Sequence, residues 1–402
     1  MAGKTFLFLS QVYVPDPAAV GQHLADVAEE LARRGHKVTV LTANRGYDDP
    51  SQKYPGRETI RGVDVRRIPL SSFGKSSIAI RTAGGFLFVL QAILRSVLVR
   101  NVDAVVVSTS PPMGSLAAVV IGMLHRARVK YWVMDVNPDQ LVTLGLMNEK
   151  ALPIRVFNGL NRLILRQADD VIVLDRFMAE RIKRKTDIGD KVSVLPPWPP
   201  EDFDTIPNHG DNPFRKQHDL NGKIVVMYSG NHGPSNPLTT IIEAAKRVVG
   251  DPRMLFLFVG GGIGKREVES AGSPNIVSLP YQPQSELRES LSAADVHVVS
   301  VGNDSPGIVH PSKVYGAMAA ARPILLIGPE QSHIADILDE HDIGWHVRHG
   351  DVDGAVQILR EIAAAPPDVL RAKGQRAYDV IRSMGGKAQA CARVCDVLER
   401  GI

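Results

Sequence analysis

The sequence predicts an α/β protein made of two consecutive, doubly wound units. Short apolar, β-branched runs alternate with helical periodicities, the pattern of a parallel sheet covered on both faces. The alternation lapses once, at Val194-Leu-Pro-Pro-Trp-Pro-Pro200 and the polar stretch 201–221, and then restarts. At 402 residues the chain suits two domains of about 150–200 residues better than one. The expected division is a first domain over 1–200, a second over 201–380, and a C-terminal helix over 381–402 that packs back on the first.

The elements follow in order. Thr5–Ser10 is the first strand, then a loop with Pro15 and Pro17, then a helix from about Ala18 to Arg34. In that helix Leu24, Val27, Ala28 and Leu31 recur at helical spacing, and Gly35 ends it. His36–Thr42 is the next strand, and further apolar runs stand at Ala104–Ser108, Lys130–Met134 and Asp170–Leu174. Helical patterns separate them at Gly114–Leu124 and Ile154–Gln167. The stretch Glu201–Asn221, rich in Asp, Pro and Asn, reads as a linker. Beyond it, strands are expected at Ile224–Tyr228, Met254–Val259, Ile276–Leu279, Val296–Ser300 and Pro323–Ile327. Helices are expected at Leu238–Val249, Ser285–Ala293 and Val314–Ala321. In such units ligands bind beyond the carboxyl ends of the strands, so a cleft there is the expected seat of the chemistry.

Formal charge is +4, but it is unevenly placed. Residues 1–200 carry 27 Lys and Arg against 18 Asp and Glu, whereas 201–402 carry 20 against 25. The first half is therefore the basic one, and the two halves are expected to meet different partners. Cys391 and Cys395, the only cysteines, stand one helical turn apart and read as two buried thiols, too few for a disulfide framework or a zinc cage. No secretory signal is read at the start of the chain, since Thr5–Leu9 runs into a Pro/Asp loop. The apolar segment Arg81–Arg100 is too short to span a bilayer. It is either an interfacial helix with arginines toward anionic headgroups or a core helix whose arginines snorkel outward.

Several loops carry binding potential. Gly21 and Gln22 open the first helix, where free amides attract phosphate, although an ordinary βα turn reads the same way. Ser229-Gly-Asn-His-Gly-Pro-Ser-Asn236 holds the equivalent place in the second unit, with Gly230 and Asn231 foremost. Gly260-Gly-Gly-Ile-Gly-Lys265 is no Walker motif: the required first glycine falls on Val259, and Arg266 replaces the magnesium-holding hydroxyl. A dinucleotide fingerprint is also missing after the first strand. Asp202-Phe-Asp204 and Asp351-Val-Asp353 could hold a metal, but the second reads better as a helix cap. Pro311-Ser312-Lys313 reads as a helix start with Ser312 as cap and Lys313 as an anion-facing charge, or simply as a capped helix with an exposed lysine.

Pro311-Ser-Lys-Val-Tyr-Gly-Ala-Met-Ala-Ala-Ala-Arg-Pro323 resembles the donor-binding segment of glycosyltransferase family 4, the retaining enzymes of the GT-B fold, and in particular bacterial members that assemble O-antigen and exopolysaccharide units. Other blocks are similar in the same order: Leu31-Ala-Arg-Arg-Gly-His-Lys-Val-Thr-Val-Leu-Thr42, Ser108-Thr-Ser-Pro-Pro112, Asp135-Val-Asn-Pro-Asp139 and Val259-Gly-Gly-Gly262. Asn275-Ile-Val-Ser-Leu-Pro-Tyr-Gln-Pro283 and Ser292-Ala-Ala-Asp-Val-His-Val-Val-Ser300 continue the series. The sequence departs from the family at its paired glutamates, whose places hold Ile308 and Gly316, and at the cationic pair of the loop that here reads Gly230-Asn-His-Gly233.

The resemblance implies a metal-independent, retaining hexosyl- or N-acetylhexosaminyltransferase that needs no cofactor. The donor would be a UDP-sugar and the acceptor a saccharide or polyprenyl-diphosphate-linked glycan. It implies Gly261, Tyr281 and Gln282 near the base, and Gly230, Ser312 and Lys313 on the diphosphate. Gly21 would close from the first domain, and Gly307, Ile308, Val309 and His310 would lie along the donor. Asp135, standing where the family often has a histidine, and Asp304, in place of the first glutamate, would orient hydroxyls beside the catalytic Lys313. The implied setting is cytoplasmic, peripheral on the inner face of the cell membrane, with contact to anionic lipid and none to nucleic acid. Two rivals share the fold: a non-catalytic nucleotide-sugar-binding protein and a nucleotide-sugar 2-epimerase.

Overall fold

In the computed structural model, residues 3–402 are described apart from 17, 47, 48 and 73–77, together with the side chains of Ile78, Ala79 and Arg81. Pro17 and the Arg81 side chain, singled out in the sequence, thus lie outside the described residues. The chain divides into two compact units, the first comprising 1–197, 307–310 and 388–402, the second 198–306 and 311–387.

Unit 1 runs β1 (Thr5–Leu9), α1 (Ala19–Arg33), β2 (Lys37–Ala43), β3 (Arg57–Ile60), β4 (Val63–Ile68), α2 (Ile78–Ser96), β5 (Ala104–Ser108), α3 (Gly114–His125), β6 (Arg128–Trp132), α4 (Asp139–Thr143), α5 (Leu152–Gln167), β7 (Asp170–Val173), α6 (Arg176–Lys185) and β8 (Val192–Val194). Its strands are ordered β3-β4-β2-β1-β5-β6-β7-β8, all parallel except β3 against β4. The central strands β1 and β5 are buried along their whole length, which is why they read as continuous apolar runs. The β3–β4 hairpin, absent from the sequence reading, turns at Arg61 and Gly62, both with positive φ.

Unit 2 runs α7 (Pro213–Gln217), β9 (Ile224–Ser229), α8 (Thr239–Arg247), β10 (Met254–Val259), α9 (Lys265–Glu269), β11 (Ile276–Leu279), α10 (Leu287–Ser292), β12 (Val296–Ser300), α11 (Lys313–Ala319), β13 (Ile324–Ile327), α12 (His333–Glu340), β14 (Gly344–Val347), α13 (Val352–Ala364) and α14 (Pro367–Ser383). The last helix, α15 (Gly386–Leu398), belongs to unit 1 from residue 388 onward. There Arg34 pairs with Asp396 and Glu399, and the Cys395 thiol faces the Val27 carbonyl 3.8 Å away.

The strands of unit 2 are ordered β11-β10-β9-β12-β13-β14 and are parallel throughout, so the winding reverses between β9 and β12. The α/β class with two parallel-sheet bodies is as the sequence predicts. The stretch 201–221 is not a free linker. Phe203 is buried against Leu291, Ala319 and Ala320, and Phe214 enters the core beside Val225 and Leu257. Arg215 is buried too, its guanidinium donating to the carbonyls of Ala293, Leu220 and Lys223 and pairing with Asp295.

Two turns of unit 2 mesh backbone to backbone. After β9 the Gly230 amide donates to Val259 O (2.8 Å), and the His232 amide to Gly261 O (2.7 Å). After β10 the Gly264 amide returns a bond to His232 O (2.9 Å). Gly260 sits at φ +134°, and a side chain there would collide with the Gly230 carbonyl. Gly262, at φ +124°, is equally blocked by the Asn231 side chain and His232 O.

Two substitutions test these packing assignments in urea unfolding. Phe203→Ala should cost about 3–5 kcal/mol, the price of a buried aromatic, where a solvated linker would lose almost nothing. Gly260→Ala should cost at least about 1–3 kcal/mol from backbone strain alone.

Candidate functional site

In unit 2 the site forms at the strand reversal, where loops after β9 and β12 leave the sheet side by side. The Gly302 amide donates to Ser235 O (2.9 Å), and the Ser300 hydroxyl to Pro237 O, which ties the two loops together. Lys313, the first residue of α11, lays its alkyl chain against Gly230. A Cβ at that glycine, whose φ is +132°, would stand 2.5 Å from Lys313 Cε. The ammonium lies 5.3 Å from the centre of the Tyr228 ring at the end of β9. It has no hydrogen bond or ion pair among the described residues, and burial pulls its pKa down to about 8.

A half-buried cation over an aromatic face, with backbone glycines beside it, has the chemistry to hold an anion. Tyr228, missed by the sequence reading, also fixes the loop through its hydroxyl, which donates to Asn231 O (2.7 Å). The neighbouring His232 is 1% exposed, and burial lowers its pKa, so it is a neutral pin with Nδ1 facing Gly261 O (3.3 Å).

The remaining residues expected in unit 2 divide. Gly261 lies against the Tyr281 ring, and the largely exposed Tyr281 donates to Gly261 O (3.4 Å), so these two form one edge of the site. Gln282 bonds to Pro280 O beside them. Ser312 stands at the N-cap of α11 but makes no side-chain cap, contrary to expectation, because its backbone is helical (φ −58°, ψ −15°) rather than extended. Asp304 is exposed on the loop after β12. Lys265, beside the glycine run, is spent on the carbonyls of Gly260 and Leu279. The aspartate triplets have structural tasks: Asp202 accepts from the Lys387 amide, Asp351 caps α13 through the Gly354 amide, and Asp353 pairs with Arg247.

In unit 1 the carboxyl end of β6 carries Asp135. Its amide donates to Thr109 Oγ1 (3.2 Å), and its carboxylate is half-buried without a hydrogen bond among the described residues. Burial raises its pKa to about 6. Beside it lies the strap Gly307–His310, whose Val309 bridges Asp135 in antiparallel fashion while Ile308 O accepts from the Val136 amide (2.8 Å).

The strap residues thus serve packing. Gly307, at φ +70°, has no room for a side chain against Phe177 O, and Ile308 is 1% exposed, so its side chain is closed to any ligand. His310 Nδ1 donates to Asp175 Oδ2 (2.7 Å), both side chains being buried, and Asp175 Oδ1 caps α6 through the Met178 amide. Asp175 was invisible as a site-building residue, since its partner is distant in sequence. Gly21 is also committed: a Cβ there would lie 3.1 Å from the backbone of Tyr13, so the glycine seats α1 on its own loop. Gln22 is half-buried on the same turn.

Residues 18–198 match the family model described as a glycosyl transferase 4-like domain. The probable glycosyltransferase WbjE of Pseudomonas aeruginosa is 29% identical over 285 residues, 69% of each chain. The putative colanic acid biosynthesis glycosyl transferase WcaI of Escherichia coli K12 is 25% identical over 391 residues, covering 91% of this chain and 94% of its own. Among solved structures, Anabaena HepE in complex with UDP and glucose superposes with a TM-score of 0.72 at 14% identity, over 98% of this chain and 99% of its own. With the parallel-sheet bodies described above, these likenesses make the chain a glycosyltransferase with the GT-B fold, residues 18–198 of which form a glycosyl transferase 4-like domain.

Proposed function

We propose that the chain transfers a hexosyl or N-acetylhexosaminyl group, with retention of configuration and without a metal, from a UDP-sugar to a saccharide or polyprenyl-diphosphate-linked acceptor of surface polysaccharide. The observation that carries this reading is Lys313, a cation held at the strand reversal of unit 2 beside Gly230 and over Tyr228, with no carboxylate among the described residues to neutralise it. HepE, with UDP and glucose bound, and WcaI, a colanic acid enzyme by name, support the nature of the donor and product.

As the glycosidic bond breaks, negative charge grows on the departing diphosphate. Lys313 stabilises that charge, with Gly230 and Asn231 admitting the phosphates close to backbone. Gly261, Tyr281 and Gln282 edge the base or ribose. The acceptor oxygen attacks on the face the diphosphate leaves, and its proton passes to a leaving phosphate oxygen. Asp135 and Asp304 orient hydroxyls rather than acting as a paired acid and base.

The depressed pKa of Lys313 sets a sign. The free protein loses the ammonium near pH 8, while a bound diphosphate holds it protonated to higher pH. UDP affinity should therefore be level below about pH 8, fall up to tenfold per unit above it, and level off again past the pKa of the complex. Calorimetric titration with UDP between pH 7 and 10 measures this, and Lys313→Ala should be flat over the same range. The same variant should lower transfer by roughly 100–1000-fold without loss of fold. Near-normal turnover would sink the assignment.

Asp135, with its pKa near 6, works as an anion on this reading. Acceptor-dependent kcat/KM should drop about tenfold per unit below pH 6, and Asp135→Asn should abolish that acid limb. An unchanged limb in the variant would remove Asp135 from the mechanism.

A further inference from the structure

Helices α2, α3 and α5 lie side by side on one face of the unit 1 sheet. The right-handed crossovers from β4 to β5, β5 to β6 and β6 to β7 all advance in one direction, which places the three helices together and roughly parallel. Gly85 of α2 sits at Pro111, just ahead of α3, so their C-terminal ends align. The crossover through α1 runs the opposite way, which puts α1 and the α15 docked on it on the far face.

The outer surface of this three-helix layer is greasy where a soluble helix is polar. On α2, Phe86, Leu90 and Leu94 repeat every four residues and point to solvent, and Leu98 continues the line at 73% exposure. Met123 and Leu124 extend it at the end of α3, and Leu152, Val156 and Leu163 form a second exposed row on α5. The buried side of α2 is apolar as well, through Phe88, Val89 and Ala92, so the core explains only half of its hydrophobicity.

Charge on the layer has one sign. None of the three helices contains an aspartate or glutamate. Arg155 and Arg162 lie along α5 next to its apolar row, exposed and without a carboxylate partner among the described residues, and Arg100 is exposed just past α2. No helix among the described residues is long and apolar enough to cross a membrane.

We propose that this face is the docking surface for an anionic lipid bilayer, the leucines and Phe86 entering the acyl boundary while the arginines meet phosphate headgroups. Charge selects this occupant over a second copy of the chain. A two-fold interface would set arginines against arginines with no acid on α2, α3 or α5 to relieve them, whereas anionic headgroups neutralise every one. The inference rests on the proposed function only in that a lipid-linked acceptor gives the docking a purpose.

Sedimentation of the full chain with vesicles tests it. The protein should pellet with vesicles rich in phosphatidylglycerol at low salt and stay in solution with pure phosphatidylcholine. Arg155→Gln/Arg162→Gln should weaken binding roughly 30-fold, at the worth expected of two surface arginines. Leu94→Ser/Leu98→Ser should weaken it at least about tenfold through lost apolar insertion. Both variants should keep the wild-type melting temperature and UDP affinity, since the altered side chains are exposed and lie outside unit 2. The proposal is overturned if the wild type stays in solution with anionic vesicles, or if the variants pellet as well as it does. It is equally overturned if the same residues instead drive self-association in the absence of lipid. Loss of UDP binding in the wild type would count against the transferase reading and leave the vesicle result standing.

Discussion

Two backbone turns that touch set the terms for unit 2. The loop after β10 can approach the loop after β9 only because Gly260 and Gly262 carry no side chains in conformations that L-residues avoid. The hydrogen bonds exchanged there hold His232 in place, and the Tyr228 hydroxyl holds Asn231. Gly230 then leaves a slot into which the Lys313 side chain fits. A binding surface made this way is stiff, because each backbone group that positions it is already bonded to another.

The lysine in that slot is a half-buried cation left without a counter-charge among the described residues. Burial makes the free ammonium costly and pulls its pKa down, and an aspartate beside it would remove that cost along with the uncompensated charge. The Tyr228 ring offers a partial remedy, since its face attracts a cation without competing for phosphate. Unit 1 shows the converse at Asp135, a carboxylate left half-buried and raised toward 6. Groups with packing tasks are treated differently: Asp175 and His310 pair with one another, and both terminal nitrogens of Arg215 are bonded, to carbonyls and Asp295.

The central strands and their covering helices were legible from the sequence because burial on both faces writes apolar runs directly. The β3–β4 hairpin was not, since an edge strand such as Arg57-Glu-Thr-Ile60 alternates in exposure and carries charges that resemble a loop. The stretch 201–221 misled by composition, its polar majority hiding Phe203, Phe214 and a buried arginine. At the candidate site Lys313 and the glycine loops were visible as motifs. Tyr228 and Asp175 were not, because their roles arise from contacts that no spacing records. Gly21, Gly307 and Ile308 were visible for another reason: the fold itself needs them.

The strap and the C-terminal helix bear on how such chains diversify. The polypeptide passes between the two units at 197/198, 306/307, 310/311 and 387/388, so unit 1 is assembled from three separate stretches of chain. Recombination by a single crossover near residue 197 would graft a foreign second unit together with a foreign strap and a foreign α15. Those pieces would have to fit Phe177, Asp175 and the surface of α1 in the recipient. Change in this architecture is therefore easier by substitution within loops than by shuffling of whole halves, since the strap and α15 travel with the second unit but pack on the first.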